Sequence, residues 1–545
     1  MKKYIHVPQL ILAGLIITLF TSCNEKVLQE VPKSFLSPDN AYKSKSAFEN
    51  GITGLHSCVR DEQNILLNQG ENMVYEMSAG TDVAHIATRY NAGPERFWDY
   101  SIITSTYPGS LMYWNWAYQE VICNANTIIS RANNPEIGWT DAEKNAIVGE
   151  AKFLRAYTYN VLVNIFGGVP IVSEEIASPK LDFVRATKQE VLEFIQQDLE
   201  FAVQWLPVNE KADGRISKGA ANHLLSEVYI SLGLTKKDAS FYDKAITAAS
   251  DVINSGKYQL MTKRFGAKKD EPGDVYHDLF WDYNINRGSG NLETIWALQY
   301  ENLTVGGAVN FSNWNRVWNS RFFDLKDPNG ISGMQVCDSL GRPVGYIRPT
   351  TFCFYDLWLK DKNDMRNSKY NIRRDWYWNN PASAYFRQKV KMLPTMDTLW
   401  IIYPSLRKCE GDFAATGKAS GYTPKDIYRM RLAETYLLRG EAYMWKGDLA
   451  KAAADINVVR ARANALPALP AEINIDFILD ERVRELIVEE PRRRTLVRVG
   501  KLYERTKKWN FISGAKIQPY NELWPIPQAA IDANSDAKLT QNQGY

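Results

Sequence analysis

The chain has little of what catalytic and metal-binding proteins need. Only 6 cysteines and 5 histidines occur among 545 residues, and neither type recurs at the spacing of a zinc site. No phosphate-binding glycine loop occurs, and Gly330-Ile331-Ser332-Gly333 has the wrong spacing for a nucleophile elbow. The sequence therefore predicts no cofactor, no metal and no enzymatic activity.

Net charge and paired cysteines are also scarce. The formal net charge is +3 and there is no long basic run, which argues against a nucleic-acid partner. The five cysteines after Cys23 show no paired spacing, so we expect mostly buried thiols, with one disulfide left open. A chain of this length is too long for a single compact core.

The N-terminus holds one apolar run, Leu10–Phe20. It is about half of the ~20 residues that span a bilayer, and it is typical of a signal peptide. Leu19-Phe20-Thr21-Ser22-Cys23 resembles a bacterial lipobox, with Phe20 where leucine is usual. We expect a signal peptide over residues 1–22, lipid on Cys23 and a tether over 23–40. The alternative is an ordinary secretory signal with an accidental cysteine.

The stretch Tyr428–Ala463 predicts two antiparallel helices. Leu432, Tyr436, Gly440 and Tyr443 recur at helical spacing on one face. Lys446-Gly447-Asp448 supplies a helix stop and the N-cap of the next helix, and the small residues Gly440 and Ala452 let the helices approach closely. The spacing fits a tetratricopeptide (TPR) pair, which needs further pairs to cover its exposed apolar face.

Further helical segments occur earlier in the chain. Thr140 with Glu143 and Thr187 with Glu190 are capping boxes. The fold class we expect is mainly α: about four TPR-like helix pairs (an α-α superhelix) with a loop-rich insertion holding short strands. The expected divisions are a helical part over 41–256, an aromatic-rich insertion over 257–423, and a C-terminal pair, helix and tail over 424–545.

The charged helix of the C-terminal part is predicted at about Ile475–Ile487. Its charged side chains are Glu481, Arg482, Arg484 and Glu485. Charged residues on a helix usually face solvent. We therefore expect these four to form an exposed face.

Several segments together resemble the SusD/RagB family. They are GEAKFLRAYTYNVLVNIFGGVPIV (149–172), GRISKGAANHLLSEVYI (214–230), RLAETYLLRGEAY (431–443), DERVRELIVEEPRRR (480–494) and ELWPIPQAAIDANSDAKLTQNQGY (522–545). The resemblance implies an outer-membrane, lipid-anchored, surface-facing protein that binds glycan nutrient. It also implies a partner, a SusC-like TonB-dependent transporter that receives the glycan.

A sugar site needs flat aromatic rings and a few directed hydrogen bonds. The resemblance points first to the loop after Thr81, with Trp98 as the stacking ring and Asp82 and Arg89 as hydrogen-bond partners. Other candidates follow in the insertion: Trp314, Asn315, Trp318 and Trp376. For each tryptophan the alternative is core packing, since tryptophan is mostly buried.

Other functions stay open beside glycan capture. The chain can instead be a TPR-type lipoprotein scaffold for protein–protein interaction, a lid for a peptide transporter, or a surface glycosidase with two carboxylates in a cleft. Solvent exposure of Trp98, Trp314 and Trp376 separates the scaffold from the glycan-binding protein. Bound calcium is left open as well.

Overall fold

The computed structural model describes residues 41–63, 66–67, 71–72, 77–87, 99–307, 314–417 and 419–545. The predicted signal peptide, the lipidated Cys23 and the tether lie outside the described residues, as do Arg89 and Trp98. The described chain is mainly α-helical, as predicted. None of its helices combines the length and apolar character that a membrane span requires.

The helices of the described residues are numbered here in chain order. They are α1 Lys45–Arg60, α2 Pro108–Asn115, α3 Cys123–Arg131, α4 Asp141–Phe166, α5 Lys188–Trp205, α6 Lys218–Lys236, α7 Ser240–Ile253, α8 Val275–Asp278, α9 Trp314–Trp318, α10 Thr351–Phe354, α11 Phe413–Thr416, α12 Leu432–Lys446, α13 Leu449–Arg462, α14 Ile475–Leu486, α15 Arg492–Arg498, α16 Leu502–Trp509 and α17 Gln528–Ala533. A π-helical turn, Trp116–Ile122, joins α2 to α3.

The strands are short and pair two by two. They are β1 Leu66–Leu67, β2 Glu71–Asn72, β3 Ala84–Ile86, β4 Thr294–Leu298, β5 Ile347–Pro349, β6 Ile372–Arg373, β7 Ser405–Leu406 and β8 Ile427–Arg431. In the described residues β1 pairs with β2, β3 with β5, β4 with β8, and β6 with β7, all antiparallel. Three of these ribbons join segments far apart in sequence.

The long helices form one continuous stack. Helix α4 packs on α5, α5 on α6, α6 on α7, α7 on α12 and α12 on α13. Helices α1 and α3 cover the other side of α4. The insertion separates α7 from α12 in sequence, yet these two helices are direct neighbours. The TPR-like stack is therefore interrupted along the chain and unbroken in space.

Local sequence determines where the helices of this stack begin and end. Both predicted capping boxes form, at the N-termini of α4 and α5. Helix α12 ends at Lys446, Gly447 takes a φ of 87°, and Asp448 accepts a hydrogen bond from the Lys451 amide. A Cβ on Gly440 would lie 3.3 Å from the Ala452 carbonyl oxygen. This confirms the predicted close approach of α12 and α13.

The charged side chains of α14 contradict the prediction of an exposed face. Glu481 and Glu485 are fully buried and Arg482 is 1% exposed. Arg484 alone is partly open, and it pairs with Glu481 at 3.0 Å. The prediction was wrong because buried cations from other segments meet these carboxylates, and pairing makes the burial of charge tolerable.

Glu485 is the centre of this buried ionic cluster. Its carboxylate contacts Arg366 at 3.0 Å, Arg431 at 2.6 Å, and Arg462. The three arginines belong to the insertion, to β8 and to α13 respectively. Arg366 also pairs with Asp364 at 2.6 Å. The cluster therefore ties the insertion to the helical stack.

The five cysteines that the structure describes are all free thiols. Cys353 and Cys409 are buried, Cys58 and Cys337 are partly buried, and Cys123 is exposed. No disulfide forms among these five. Two of them match the buried thiols that we expected.

We predict that Glu485→Gln lowers the free energy of unfolding by about 3–5 kcal/mol, the usual cost of breaking a buried ion pair from one side. In this variant the neutral glutamine amide removes one negative charge from beside three buried arginines. Urea unfolding followed by circular dichroism measures the loss. The matched control is Glu504→Gln, since Glu504 is 65% exposed and pairs with Lys501 on the surface. Equal losses in both variants would contradict the assigned role of the cluster.

Acid should destabilise the fold within a defined pH window. Burial raises the pKa of Glu481, but Arg366, Arg484 and Arg460 outweigh it and hold that pKa at about 2. Burial also raises the pKa of Glu434, and Arg482 and His223 bring it to about 2. Unfolded glutamates bind protons below about pH 4.3, so the unfolded state gains protons first as the pH falls.

The free energy of unfolding should therefore be constant above about pH 5 and fall steadily between about pH 4 and pH 2. Urea midpoints measured at intervals from pH 7 to pH 2.5 test this. A midpoint that stays unchanged from pH 5 to pH 3 would show that these carboxylates do not control acid stability.

Candidate functional site

The segment Gly80–Ala87 forms a tight turn that leads into β3. Gly80 has a φ of 74°, and its amide donates to the Ala84 carbonyl oxygen at 2.9 Å. Strand β3 then pairs with β5, with His85 opposite Arg348. The Ala87 amide donates to the Tyr346 carbonyl oxygen at 3.1 Å. The turn and ribbon thus hold one side of the predicted sugar loop in place.

Asp82, predicted as a sugar partner, is buried in an ion pair instead. It is 0% exposed, and Arg492 donates to both of its oxygens, at 2.9 and 2.7 Å. Arg505 adds a third bond at 2.6 Å. Burial raises the pKa of Asp82, but the two guanidiniums outweigh it and hold the pKa at about 2. Asp82 anchors the turn to α15 and α16 and has no face open to a ligand here.

The second group of predicted site residues packs in the core. Trp314 is 6% exposed, Asn315 2% and Trp318 1%. The Asn315 amide donates to the Leu340 carbonyl oxygen at 3.2 Å. These rings and this amide have no open face for a sugar, which matches the core-packing alternative. Helix α9 nevertheless contacts β5, so the structure brings the first two candidate regions together.

Trp376 lies apart from both regions. It is 5% exposed and stacks on Phe322, with ring centroids 5.3 Å apart and an interplanar angle of 29°. Both rings belong to a small separate core inside the insertion, which also contains Trp378. Core packing accounts for this tryptophan as well, since the ring is covered on its face by another aromatic residue.

An exposed aromatic ring that sequence reasoning missed stands beside β3. Phe511 is 66% exposed and lies edge-on to the His85 ring, with centroids 5.5 Å apart. The preceding Asn510 side chain donates to the carbonyl oxygens of Thr81 and Ala84, at 2.7 and 3.0 Å. These bonds fix Phe511 next to the predicted sugar loop. Nothing in the sequence around Phe511 distinguishes it from other single aromatics in loops.

His85 and Arg348 form a polar pair under this ring. Burial lowers the pKa of His85 to about 4, so the imidazole is neutral at pH 7. Its Nδ1 lies 2.7 Å from the Ile86 carbonyl oxygen and therefore carries the proton. Nε2 then accepts from Arg348 Nη1 at 3.2 Å. The Arg348 guanidinium also lies over the Tyr403 ring, 5.7 Å from its centroid.

A second exposed ring lies near Arg348. Tyr355 is 46% exposed, and the Arg374 guanidinium lies 5.8 Å from its centroid. Arg374 donates to the Phe354 carbonyl oxygen at 2.6 Å and to the Asn367 side chain at 2.7 Å. The β3–β5 patch is defined here by five residues: His85, Arg348, Tyr355, Arg374 and Phe511. It offers open aromatic rings beside fixed hydrogen-bond donors.

A cleft of about 720 Å³ lies elsewhere on the molecule, between the π-helical turn, the segment 170–183 and α17. Trp114, Tyr118 and Phe183 are among its apolar walls. Two of its polar side chains, Asn126 and Asn534, each donate to two backbone carbonyl oxygens. These two amides are therefore not free to orient a sugar.

Two carboxylates that are adjacent in sequence, Glu489 and Glu490, both form ion pairs. Glu490 contacts Arg482 at 2.5 Å and Arg492 at 3.0 Å. Glu489 contacts Arg431 at 2.6 Å and Lys408 at 2.7 Å. Each of these two carboxylates is therefore held by two cations. Among the residues with described positions, no group of three or more His, Cys, Asp or Glu could hold a metal ion.

Two family models match this chain. The model described as "SusD family" matches residues 355–545, and the one described as "Starch-binding associating with outer membrane" matches residues 30–230. The chain is 24% identical to SusD-like protein P2 of Formosa agariphila over 547 residues, which cover 99% of this chain and 96% of that protein.

Two further relatives agree with these matches. Starch-binding protein SusD of Bacteroides thetaiotaomicron is 25% identical over 433 residues, covering 75% of this chain and 74% of that protein. A solved structure of a laminarin binding SusD-like protein is 23% identical, with a TM-score of 0.68, and the match covers 92% of this chain and 100% of that chain. The latter likeness shows a shared fold. Together the two models match residues 30–230 and 355–545, so most of this chain is similar to the SusD family.

Proposed function

We propose that this chain is a lipid-anchored, surface-facing outer-membrane protein that binds oligosaccharide or polysaccharide and delivers it to a SusC-like TonB-dependent transporter. Two relatives support it by name, one as starch-binding and one as laminarin binding. A family model described as associating with the outer membrane supports the location. The anchor would be lipid on Cys23.

The observation that carries the proposal is the pair of open rings in the β3–β5 patch. Phe511 and Tyr355 are 66% and 46% exposed beside two guanidiniums. Covering one ring face with sugar hides roughly 80 Å², worth about 2 kcal/mol at about 25 cal/mol/Å² before ordering costs. Two such rings, less those costs, give roughly micromolar to millimolar affinity. Weak holding suits a protein that passes its ligand on.

Trp98 and Arg89 stay predicted contributors to this site. The described residues on both sides of their loop are fixed next to the patch. The Ala87 amide is bonded to the Tyr346 carbonyl oxygen, and the Tyr100 hydroxyl donates to the Gly80 carbonyl oxygen at 2.5 Å.

The scaffold alternative has one observation in its favour. Trp314 and Trp376 are buried, as a TPR scaffold without a small ligand would have them. The exposed Phe511 and Tyr355 favour glycan binding instead, because open rings beside hydrogen-bond donors have no packing role. A peptide ligand would be recognised by binding of peptides but not of polysaccharides.

The family is not a catalytic one, and we propose binding without hydrolysis. Each carboxylate of the pairs Asp361/Asp364 and Glu489/Glu490 has a cation partner: Asp361 lies 3.6 Å from Arg460, Asp364 2.6 Å from Arg366, and Glu489 and Glu490 pair as described above. Incubation with the bound polysaccharide should release no reducing sugar. Release at a rate above that of a heat-treated sample would overturn this part of the proposal.

We predict that the purified protein binds at least one polysaccharide in a broad panel, measured by affinity electrophoresis and calorimetry. Phe511→Ala and Tyr355→Ala should each weaken that binding by about 10- to 30-fold, from the loss of about 2 kcal/mol of ring contact. Tyr520→Ala is the control, since Tyr520 is a 40% exposed ring in the C-terminal tail. A panel without any binder, or equal losses in all three variants, would contradict the proposed site.

We further predict that Cys23→Ser abolishes lipidation. In cells of the native type, labelled palmitate should enter the wild-type chain and not the variant, and the variant should leave the membrane fraction. Folding is checked by the thermal midpoint of the purified variant. Persistence of the label in Cys23→Ser would show that another residue carries the lipid.

A further inference from the structure

We propose that the β3–β5 patch contains an anion subsite, formed by Arg348 and Arg374 beside Tyr355 and Phe511, and that the bound glycan is acidic, bearing carboxylate or sulfate groups. This inference rests on the proposed glycan-binding function. It names the class of glycan and the residues that recognise its charge.

The pairing of buried arginines singles out Arg348. Twelve arginines are buried in the described part of the chain, and ten of them lie within 4.0 Å of a carboxylate. The ten paired residues are Arg155, Arg366, Arg431, Arg460, Arg462, Arg482, Arg492, Arg494, Arg498 and Arg505. The two without a carboxylate are Arg348 and Arg493. Buried charge is normally paired, because desolvation is costly.

Arg493, the other buried arginine without a carboxylate partner among the described residues, is enclosed by the protein. It is 0% exposed, lies between the rings of Tyr100 and Trp524 at 5.6 and 5.3 Å, and donates to the Asn521 carbonyl oxygen at 2.6 Å. No ligand can reach it. Arg348 keeps 9% of its surface open, with its Nε fully buried, and stands in the patch with the exposed rings.

The present partners of Arg348 are all neutral. Nη1 donates to His85 Nε2 at 3.2 Å and to the Pro349 carbonyl oxygen at 3.3 Å. Nε has no hydrogen-bond partner among the described residues. Because His85 is neutral at pH 7, the guanidinium keeps its full charge without a counter-ion. A carboxylate or sulfate is the ligand that a guanidinium binds best, through two parallel hydrogen bonds.

Arg374, whose guanidinium lies over the Tyr355 ring, also lacks a carboxylate partner among the described residues. Its described hydrogen-bond partners are the Asn367 carbonyl and side-chain oxygens and the Phe354 carbonyl oxygen, all neutral. Burial lowers the pKa of both Arg348 and Arg374, and for both the counteracting group includes the Tyr355 phenol. The exposed Tyr355 ring therefore lies in the field of two cations that lack a carboxylate.

The surrounding insertion carries a net positive charge, which is the sign that attracts an acidic glycan. Residues 257–423 contain 23 Lys and Arg and 17 Asp and Glu, a net charge of +6, whereas the whole chain carries +3. The remainder of the chain is therefore net negative. Such an asymmetry attracts anionic polymers to the loop-rich side and raises their association rate.

The geometry of the patch suits an acidic sugar. A uronate or a sulfated sugar offers an apolar C–H face and, at its edge, a charged group. The open rings of Phe511 and Tyr355 can cover the face while the guanidiniums take the charged edge. A neutral sugar would use only the rings, so the charged groups should add to the affinity.

The test compares three dissolved polymers by calorimetry in 150 mM salt: alginate for carboxylate, dextran sulfate for sulfate, and unmodified dextran as the neutral reference. We expect alginate or dextran sulfate to bind at least about tenfold more tightly than dextran, the contribution of a charge-assisted hydrogen-bond pair. The better of the two acidic polymers identifies the charged group. Arg348→Gln and Arg374→Gln should each remove most of this preference, and Arg348→Lys should restore part of it.

The control variant is Lys391→Gln, which removes one charge from an exposed position in the same insertion. It should leave the preference for acidic polymers unchanged. An equal loss in Lys391→Gln would mean general attraction to a basic surface and would overturn the subsite. Thermal midpoints verify folding, and Arg374→Gln, at a more open position, tests the subsite if Arg348→Gln does not fold.

The outcomes separate this inference from the proposed function. If neutral polysaccharides bind as well as acidic ones, the anion subsite is wrong and the glycan-binding function stands. If no polysaccharide of the broad panel binds, the proposed function itself fails. Retention of the acidic preference in folded Arg348→Gln and Arg374→Gln variants would also overturn the subsite.

Discussion

The buried charges of α14 hold the insertion and the helical stack together. A carboxylate in the interior is costly unless cations meet it there. Glu485 meets arginines from the insertion, from β8 and from α13. Moving any one of these segments away would take a cation from this buried carboxylate. The loop-rich insertion is thereby fixed to a helical stack with which it shares little sequence pattern.

The same principle places the candidate site. Asp82 ties the turn before β3 to Arg492 and Arg505, which lie 410 and 423 residues further along the chain. That bond positions His85 opposite Arg348 and next to Phe511. The β3–β5 patch is thus assembled from three distant stretches of sequence. Among the described residues Arg348 has no carboxylate partner, whereas ten of the twelve buried arginines have one, and this difference points to a ligand.

The sequence does not indicate which aromatic residues are buried and which are exposed. Trp314, Trp318 and Trp376 were reasonable sugar platforms because of their neighbours in sequence, yet each is buried. Large rings that can be covered on both faces gain most from burial. Phe511 and Tyr355 are among the aromatic rings that the fold leaves exposed. The exposure of a ring therefore depends on tertiary packing, and no local sequence pattern predicts it.

Local sequence is enough to predict the long helices, their ends and the pairing of α12 with α13. Thr140, Thr187 and Gly447 act within a few residues of themselves, and Gly440 permits a contact with the very next helix. Such features depend on local geometry, which a sequence contains in full. The burial of Glu485 and Asp82, and the lack of a carboxylate partner for Arg348 among the described residues, follow from tertiary packing. Those outcomes depend on which distant groups arrive within a few ångströms, because electrostatic pairing acts through space and not along the chain.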